Sequence, residues 1–260
     1  MRTQIKIRMF VALMVSNTEP VVPKPATEKD SLTHFSEIML MIPTLNEAEA
    51  IEALVKEARS IGFTNILVVD GFSVDKTREN ATQAGAKVVL QDFGKGKGCG
   101  VRTGMKEFLA GNCQLLCIID GDGTNDPTFL AKMIQEVRSG DADVMLGSRT
   151  RGPREEGAMN TLSLASNLTV SFLLGVKFRR LFTDIQTGYW AFTRDTVQRI
   201  FPKIQSTGFE IELELFIRIL KEGLRTYETP VGFRRRKGHT KFSFNLRMRN
   251  LYYAFKFLAS

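Results

Sequence analysis

The chain has 260 residues, 43% of them hydrophobic, and carries a formal net charge of +8. This hydrophobic fraction is ordinary for a globular protein and excludes disorder as the main state. The length allows one large domain or two small ones. The positive charge indicates an anionic partner: phosphate groups, nucleic acid or an anionic membrane surface.

The cysteines and histidines argue against several kinds of site. Cys99, Cys113 and Cys117 lack the spacing of a zinc site or a disulfide framework, which favours small buried thiols in a reducing compartment. Only two histidines are present, His34 and His239, which disfavours a histidine-based triad or metal site. No run of about 18 apolar residues indicates a transmembrane helix. No small-residue cleavage site supports a signal peptide.

The chain is predicted to have three parts. Residues 1–36 form a mobile leader, since the stretch 18–36 contains three prolines and many polar residues. Regular patterns begin at Ile38, and the predicted domain covers residues 37–243. Residues 244–260 are predicted to form an amphipathic helix that is aromatic, apolar and lysine-bearing. A bilayer interface and the domain's own core are the two alternatives for what this helix contacts.

Apolar runs and helical patterns alternate along the domain. Strands are predicted at residues 38–42, 66–69, 87–90, 115–119 and 144–146, and helices at 47–61, 75–84, 98–110 and 127–139. The strands are apolar on both faces, which predicts an α/β fold with a mostly parallel sheet sandwiched by helices. The later part is less regular, with predicted helices at 161–176, 210–222 and 245–258 and a strand at 226–233. Ser163, Asn167 and Ser171 form a polar stripe on the first of these helices.

Polar residues follow the predicted strands where each one ends. Asp70 follows the second strand and Asp120 the fourth, while residues 44–47 and 147–149 follow the first and fifth. Because ligands of such folds bind at the carboxyl ends of the strands, these loops are expected to form one site.

The sequence Asp120-Gly121-Asp122 suits a hard divalent cation. Two carboxylates at this spacing offer oxygen ligands to Mg²⁺ or Mn²⁺, and the remaining positions would be shared with substrate phosphates. The alternative is a capped turn, in which Asp122 or Asp126 caps the helix that begins at Pro127.

Two basic segments are candidates for binding phosphate. Residues 94–98, Gly-Lys-Gly-Lys-Gly, match no P-loop or dinucleotide motif, and either contact phosphate through backbone N–H groups and Lys97 or form a plain surface loop. Residues 233–241 contain six basic residues, for which a solvated loop and a nucleic-acid site are the alternatives. Nucleic acid is disfavoured because no recognition helix or aromatic-interleaved strand accompanies them.

The motifs in this order resemble family 2 glycosyltransferases of the GT-A fold. The resemblance rests on IPTLNE at 42–47, VDGFSVDKT at 69–77, GKG at 96–98 and DGD at 120–122. Four later motifs resemble the dolichyl-phosphate mannose synthase and polyprenyl-phosphate glycosyltransferase branch: GSR at 147–149, DIQTGY at 184–189, FEIE at 209–212 and RKGHTK at 236–241.

The resemblance implies an inverting enzyme that uses a nucleotide-diphosphate sugar and a polyprenyl or dolichyl phosphate. It implies that the nucleotide sugar is bound by Pro43, Asn46, Glu47, Asp70, Lys97 and Asp120. It implies that Asp120 and Asp122 hold Mg²⁺ or Mn²⁺. The residues expected at the reacting groups are Asp122, Arg149, Arg236 and Lys241, the last three holding phosphate. Gln186 is expected on the acceptor side.

Two departures from the mannose synthases bear on the donor. Asp70-Gly71 stands where they often carry Asp-Asp, and Thr124 stands where some relatives offer a glutamine. The Asp-Gly-Asp-Gly-Thr version is more similar to members that use UDP-glucose or UDP-N-acetylglucosamine, so these donors are preferred, with GDP-mannose next.

The expected protein is a peripheral enzyme at the cytoplasmic face of a membrane, with a membrane surface and a separate membrane subunit as candidate partners and no nucleic acid. Two alternatives stay open. One is a soluble transferase with a saccharide or small-metabolite acceptor, and the other is a non-catalytic subunit that binds a nucleotide sugar.

Overall fold

The computed structural model describes residues 35–236 together with Tyr252, Tyr253 and Lys256. All of these residues belong to one compact unit, His34–Ser260. The predicted leader therefore lies outside the described residues except for its last two positions, and so do Lys237, His239 and Lys241. Of the helix predicted at 245–258, only Tyr252, Tyr253 and Lys256 are described, and they are helical.

Strands and helices alternate through the first half and less regularly through the second. The strands are β1 Ile38–Thr44, β2 Asn65–Asp70, β3 Lys87–Leu90, β4 Leu115–Ile118, β5 Val144–Ser148, β6 Trp190–Thr193 and β7 Thr226–Pro230. The α-helices are α1 Ile51–Ile61, α2 Thr77–Gln83, α3 Lys97–Ala110, α4 Leu130–Arg138, α5 Thr161–Phe178, α6 Arg194–Ile200 and α7 Ile211–Lys221. Short 3₁₀ turns occur at Phe35–Glu37, Pro127–Phe129 and Phe201–Lys203.

The seven described strands form one sheet in the order β3-β2-β1-β4-β6-β5-β7. All neighbours are parallel except β6, which is antiparallel to both β4 and β5. Two hydrophobic clusters contain the buried apolar residues of the strands and helices. The prediction of an α/β fold with a mostly parallel sheet is confirmed.

The first helix shows how the apolar pattern sets the packing. Ile51, Leu54, Val55 and Ala58 lie on one face of α1 and are buried. The helix ends at Gly62, whose φ of 119° is in the left-handed region, and the N–H of Gly62 donates to carbonyls of the last turn. Burial of this face leaves the polar side of α1 towards solvent.

The first strand is longer than predicted, because it continues through Pro43 to Thr44. Proline has no N–H to donate to a neighbouring strand. Pairing of β1 with β4 ends at Met41, so on that side Pro43 costs no ladder hydrogen bond. The extension brings the polar loop after β1 level with Asp70, which pairs with Thr44.

β6 and α6 are not among the predicted elements, and β7 ends at Pro230, three residues before the predicted end. β6 has only four residues, WAFT, and no alternation that distinguishes a strand. Its antiparallel position between β4 and β5 brings the preceding loop, residues 183–189, to the edge of the sheet where β4 and β5 end.

Candidate active site

The loops after β1 and β2 are locked together at the carboxyl edge of the sheet. The Asn46 N–H donates to Ser73 Oγ at 2.8 Å, and Asn46 Oδ1 accepts from the Val74 N–H at 2.9 Å. Asn46 has a φ of 49°, a left-handed conformation that asparagine tolerates better than most residues. The Glu47 N–H donates to Thr77 Oγ1 at 2.8 Å. Asn46 and Glu47, both predicted to lie near a nucleotide, are thus held beside Asp70.

Asp70 is fully buried at the end of β2. Its Oδ2 accepts from the Ser73 N–H at 2.9 Å and lies 3.8 Å from Arg78 Nε. Its Oδ1 is buried and has no hydrogen-bond partner among the described residues. A buried carboxylate oxygen without a donor is costly, so this atom is suited to accept a hydrogen bond from a ligand.

A first ion cluster, the Lys97 cluster, consists of Lys97, Asp120 and Glu212. Lys97 Nζ lies 2.6 Å from Asp120 Oδ1 and 2.5 Å from Glu212 Oε1. Burial lowers the pKa of Lys97, but the charges of Asp120 and Glu212 outweigh it and raise that pKa above its ordinary value. Burial raises the pKa of Glu212, and Lys97 opposes this shift. The cluster is a nearly buried lysine held between two carboxylates.

The glycine-rich loop at 94–98 packs against residues 206–208. The N–H groups of Gly98 and Cys99 donate to the carbonyls of Gly208 and Thr207, at 3.1 and 3.2 Å. A Cβ on Gly96 or Gly98 would lie 2.3 or 2.4 Å from a carbonyl oxygen of this same segment. The glycines therefore allow residues 206–208 to approach, and the Gly98 N–H is not open to phosphate. Contact of the loop with phosphate stays a prediction.

A second ion cluster, the Arg236 cluster, consists of Arg236, Asp122 and Glu47. Arg236 Nη1 lies 2.5 Å from Asp122 Oδ2, and Arg236 Nη2 lies 2.5 Å from Glu47 Oε1. Asp122 Oδ1 accepts from the N–H and hydroxyl of Thr124. The cap of the 3₁₀ turn at Pro127 is Asp126, whose side chain accepts from the Thr128 N–H at 3.0 Å. The capped-turn interpretation thus holds for Asp126, while Asp122 is directed to Arg236.

Residues 231–236 form a strap after β7 that carries Arg236 to Asp122. The Arg234 N–H donates to the Thr124 carbonyl at 2.7 Å, and the Arg234 guanidinium contacts Glu57 at 2.6 Å and Asp126 at 2.9 Å. The Arg235 N–H donates to Glu155 Oε2 at 2.7 Å. These contacts fix the part of the strap that leads into Arg236.

Arg149, predicted to hold phosphate, is bound by a carboxylate of the chain. Its Nε and Nη2 lie 2.7 and 2.8 Å from the two oxygens of Asp184, and Nη2 also donates to the Gln186 carbonyl at 2.8 Å. Such a bidentate pair fixes both position and orientation. The structure places Arg149 as a support of the loop that carries Gln186, and its contact with phosphate stays a prediction.

Residues 183–189 lie against the acids that follow β4. The Cα of Gly188 is so close to Asp120 that a Cβ would meet Asp120 Oδ2 at 2.1 Å. At the other end of the loop, Glu228 on β7 accepts from the N–H groups of Thr183 and Asp184 at 2.8 Å. The loop that contains Gln186 is thereby held beside Asp120.

Sequence reasoning missed Glu212, Asp184 and Glu228 as site residues. All three are carboxylates whose partners are distant in the chain, so no local spacing indicates them. The available signal was that Glu212 and Asp184 lie in segments that resemble family motifs. Of the predicted residues, Pro43 is buried within β1 behind the site, and Lys241 lies outside the described residues.

A divalent cation fits the acids after β4. Among the described residues, no group of three or more histidine, cysteine or acidic side chains forms a metal cage. Asp120 and Asp122 offer carboxylate oxygens, which suits Mg²⁺ or Mn²⁺ bound by one or two carboxylates, with phosphate and water as further ligands. Lys97 and Arg236 now neutralise these same carboxylates.

The sequence pattern of glycosyl transferase family 2 matches residues 39–201. The chain belongs to glycosyl transferase family 2. The match includes β1 to β6 and therefore both acids after β4. The chain is a glycosyltransferase, as the motif series predicted.

Two relatives illustrate the range of this family. The chain is 36% identical over 196 residues to the glycosyltransferase AglJ of Haloferax volcanii, an alignment that covers 75% of this chain and 62% of AglJ. The chain thus spans less than two thirds of AglJ. It is 26% identical over 211 residues to the UDP-N-acetylglucosamine–dolichyl-phosphate N-acetylglucosaminyltransferase of Methanococcus voltae, covering 75% of this chain and 84% of that relative.

The fold of this glycosyltransferase is similar to that of solved enzymes. Glucosyl-3-phosphoglycerate synthase from Mycobacterium tuberculosis, crystallised with Mn²⁺, UDP-glucose and phosphoglyceric acid, superposes with a TM-score of 0.73. The match covers 92% of this chain and 86% of that chain at 17% identity. It establishes the GT-A fold, as predicted.

Proposed function

We propose that this glycosyltransferase moves one sugar from a nucleotide-diphosphate sugar to a polyprenyl phosphate at the cytoplasmic face of a membrane. The observation that carries the proposal is the direction in which the two acidic side chains after β4 point. Asp120 and Asp122 are directed to Lys97 and Arg236 rather than used as helix caps. Alternating carboxylates and cations at the carboxyl edge of a parallel sheet suit a metal–diphosphate ligand.

The loops after β1 and β2 would bind the nucleotide. Asp70 Oδ1, buried without a partner among the described residues, would accept a hydrogen bond from the base. Asn46 and Glu47 are fixed beside it by the backbone contacts described above. UDP-glucose or UDP-N-acetylglucosamine is the preferred donor and GDP-mannose the next, because of Asp70-Gly71 and Thr124; the M. voltae relative supports a UDP-sugar.

Asp120 and Asp122 would hold Mg²⁺ or Mn²⁺ together with the donor diphosphate. When bound, the ion would offset the negative charge of the leaving nucleoside diphosphate. Lys97 would keep Asp120 in place, since its ammonium bridges Asp120 and Glu212. Arg236 would exchange its carboxylate partners for phosphate oxygens when the donor enters, because an arginine fork matches both groups.

For the acceptor phosphate to react, its orientation matters more than a general base that would remove a proton. An oxygen of the polyprenyl phosphate, already ionised near neutral pH, would bond to the anomeric carbon as the bond to the diphosphate breaks. The nucleoside diphosphate would leave with the electron pair, with inversion at the carbon and no proton transfer. Holding the phosphate oxygen in line with the anomeric carbon and the leaving diphosphate would then supply much of the rate enhancement. Arg236, Lys241 and the loop of Gln186 would provide that hold.

The test is a transfer assay with defined donors and acceptors. UDP-glucose, UDP-N-acetylglucosamine and GDP-mannose are each incubated with polyprenyl phosphate and Mn²⁺ or Mg²⁺, and products are identified by mass. We expect one glycosyl polyprenyl phosphate, formed only with a divalent cation. Transfer to a saccharide or a phosphorylated metabolite instead would identify a soluble acceptor. Donor binding without any transfer would identify a non-catalytic subunit.

A further inference from the structure

The face of helix α5 that packs on the domain carries two polar residues beside the apolar Val170 and Leu174. Asn167 and Ser171 are 3% and 1% exposed. Asn167 Nδ2 donates to Asp184 Oδ1 at 2.7 Å, and Ser171 Oγ accepts from the Ile185 N–H at 3.2 Å. The inner face of α5 therefore supports the same loop that presents Gln186.

The outer face of α5 is apolar. Leu162, Phe172 and Val176 are 58%, 38% and 59% exposed, and Leu181 just after the helix is 48% exposed. Positions 162, 169, 172 and 176 are spaced as one helical face, and Thr169 is its exposed polar member. An exposed apolar stripe of this kind marks a surface that contacts something else.

The charged residues of the segment that carries this stripe have one sign. Residues 157–183 contain no aspartate or glutamate, and their three charged residues are Lys177, Arg179 and Arg180. Lys177 and Arg179 are exposed at the carboxyl end of α5. Apolar residues flanked by cations are typical of helices that lie on anionic bilayers. A second copy of the chain would instead bring like charges together.

Helix α5 is hydrogen-bonded to the domain in a way that crossing a membrane would break. Among the described residues, α5 is the one helix long and apolar enough to span a bilayer. The sequence did not indicate this span because polar residues interrupt the apolar run. Those polar residues bind the domain through Asp184 and Ile185, so spanning would break the support of the loop. A helix held in this way offers only its outer face to a surface.

We infer that the outer face of α5, with Leu162, Phe172, Val176 and Leu181, docks on an anionic lipid bilayer. This inference rests on the proposed function, because it supplies the reason for docking: the acceptor is a lipid. The two faces of α5 have complementary roles, since one contacts the bilayer while the other holds the loop of Gln186. A polyprenyl phosphate in that bilayer would then reach Asp120 without leaving the membrane.

Vesicle flotation with the full chain tests the docking surface. The chain is mixed with vesicles of phosphatidylcholine alone or with phosphatidylglycerol added, and the bound fraction is measured after centrifugation. The test variant is Phe172→Ser/Val176→Ser. The control is Leu90→Ser, which removes an apolar side chain that is 47% exposed on β3, at the far edge of the sheet. Residues 244–260 are intact in both, so a loss specific to the test variant reports α5.

We expect the wild type and the control to float with anionic vesicles and the test variant to bind about tenfold less tightly. Equal flotation of the test variant, or no flotation of the wild type, would overturn the inference. A wild-type dimer in sedimentation velocity that the test variant abolishes would assign the stripe to a second copy.

A parallel assay separates the two proposals. Transfer to a water-soluble, short-chain polyprenyl phosphate should be equal in the wild type and the test variant, whereas transfer to a long-chain acceptor in vesicles should fall in the variant alone. Flotation without any transfer would leave docking in place and reject the proposed function. Transfer in solution without flotation would reject docking and leave the proposed function in place.

Discussion

The two ion clusters at the edge of the sheet differ in the secondary structure on which their residues lie. In the Lys97 cluster, Lys97 is the first residue of α3, Glu212 lies in the first turn of α7, and Asp120 closely follows β4. In the Arg236 cluster, Glu47, Asp122 and Arg236 all lie in loops. A cluster built on helices resists rearrangement, whereas one built on loops can exchange partners. We therefore expect the first to serve mainly stability and position, and the second mainly binding and turnover.

The largest effect is expected from Asp122→Asn. The change removes a proposed metal ligand and the partner of Arg236, so kcat/KM with Mn²⁺ and the preferred donor should fall about 10²–10³-fold. The melting temperature should change little, because Asp122 lies in a loop. Asp141→Asn, which removes an exposed carboxylate distant from the cluster, is the control for charge. Wild-type turnover in Asp122→Asn would reject its metal role.

Lys97→Met should act on stability. It leaves Glu212, a buried carboxyl group, without its cation, and unpaired buried charges of this kind cost about 3 kcal/mol of unfolding free energy. Adding Glu212→Gln should recover part of the loss, since the group left behind is then neutral. Urea denaturation measures both.

Lys87→Met is the matched control for Lys97→Met. It breaks the solvent-exposed pair with Glu107 and should cost less than about 1 kcal/mol. If Lys97→Met and Lys87→Met were equally stable, the Lys97 cluster would have no structural role, and the contrast between the two clusters would fail.

Arg236→Gln tests the partner exchange proposed for the loop-borne cluster. Loss of a phosphate contact should lower kcat/KM about 10–100-fold. Because the Arg236 guanidinium no longer competes for Asp122, Mn²⁺ alone should bind more tightly, as measured by electron paramagnetic resonance. Arg235→Gln, on the same strap, is the control. Weaker Mn²⁺ binding in Arg236→Gln would show that the arginine does not occupy the metal position.

The same contrast explains what the sequence could predict. Asp70, Asp120 and Asp122 were found because an acid directly after an apolar strand has a known position at the edge of a parallel sheet. Glu212 was missed because its role depends on Lys97, which is 115 positions away in the chain and reaches it only after α3 and α7 pack together.

The second half of the fold was harder to predict for a related reason. β6 is four residues long and is defined by the two strands that flank it. Arg149 binds Asp184, 35 residues further on, a pairing that the resemblance, which implied a phosphate contact for Arg149, did not indicate. The polar stripe on α5 was visible in the sequence, but its direction, towards the domain, depends on the loop that it binds.

The smallest effect is expected from the titration of Glu228, which anchors the loop that carries Gln186. Burial raises the pKa of Glu228 from 4.5 to about 7, partly opposed by the N–H groups of Thr183 and Asp184. Between these two values the unfolded chain loses this proton while the folded chain retains it. Folding stability from Glu228 is therefore highest below about pH 4.5, and it is lost as pH rises towards 7.

Glu228→Gln isolates this contribution, because glutamine does not titrate. Relative to the variant, the unfolding free energy of the wild type should fall by about 1–2 kcal/mol between pH 5 and pH 7 and change little above about pH 8. Urea denaturation at several pH values measures the difference. A wild type that gains stability over this range would mean that the loop's hydrogen bonds outweigh burial and hold Glu228 ionised. The anchor would then be a permanent anion beside Asp184, and the loop would keep its position at every pH in the range.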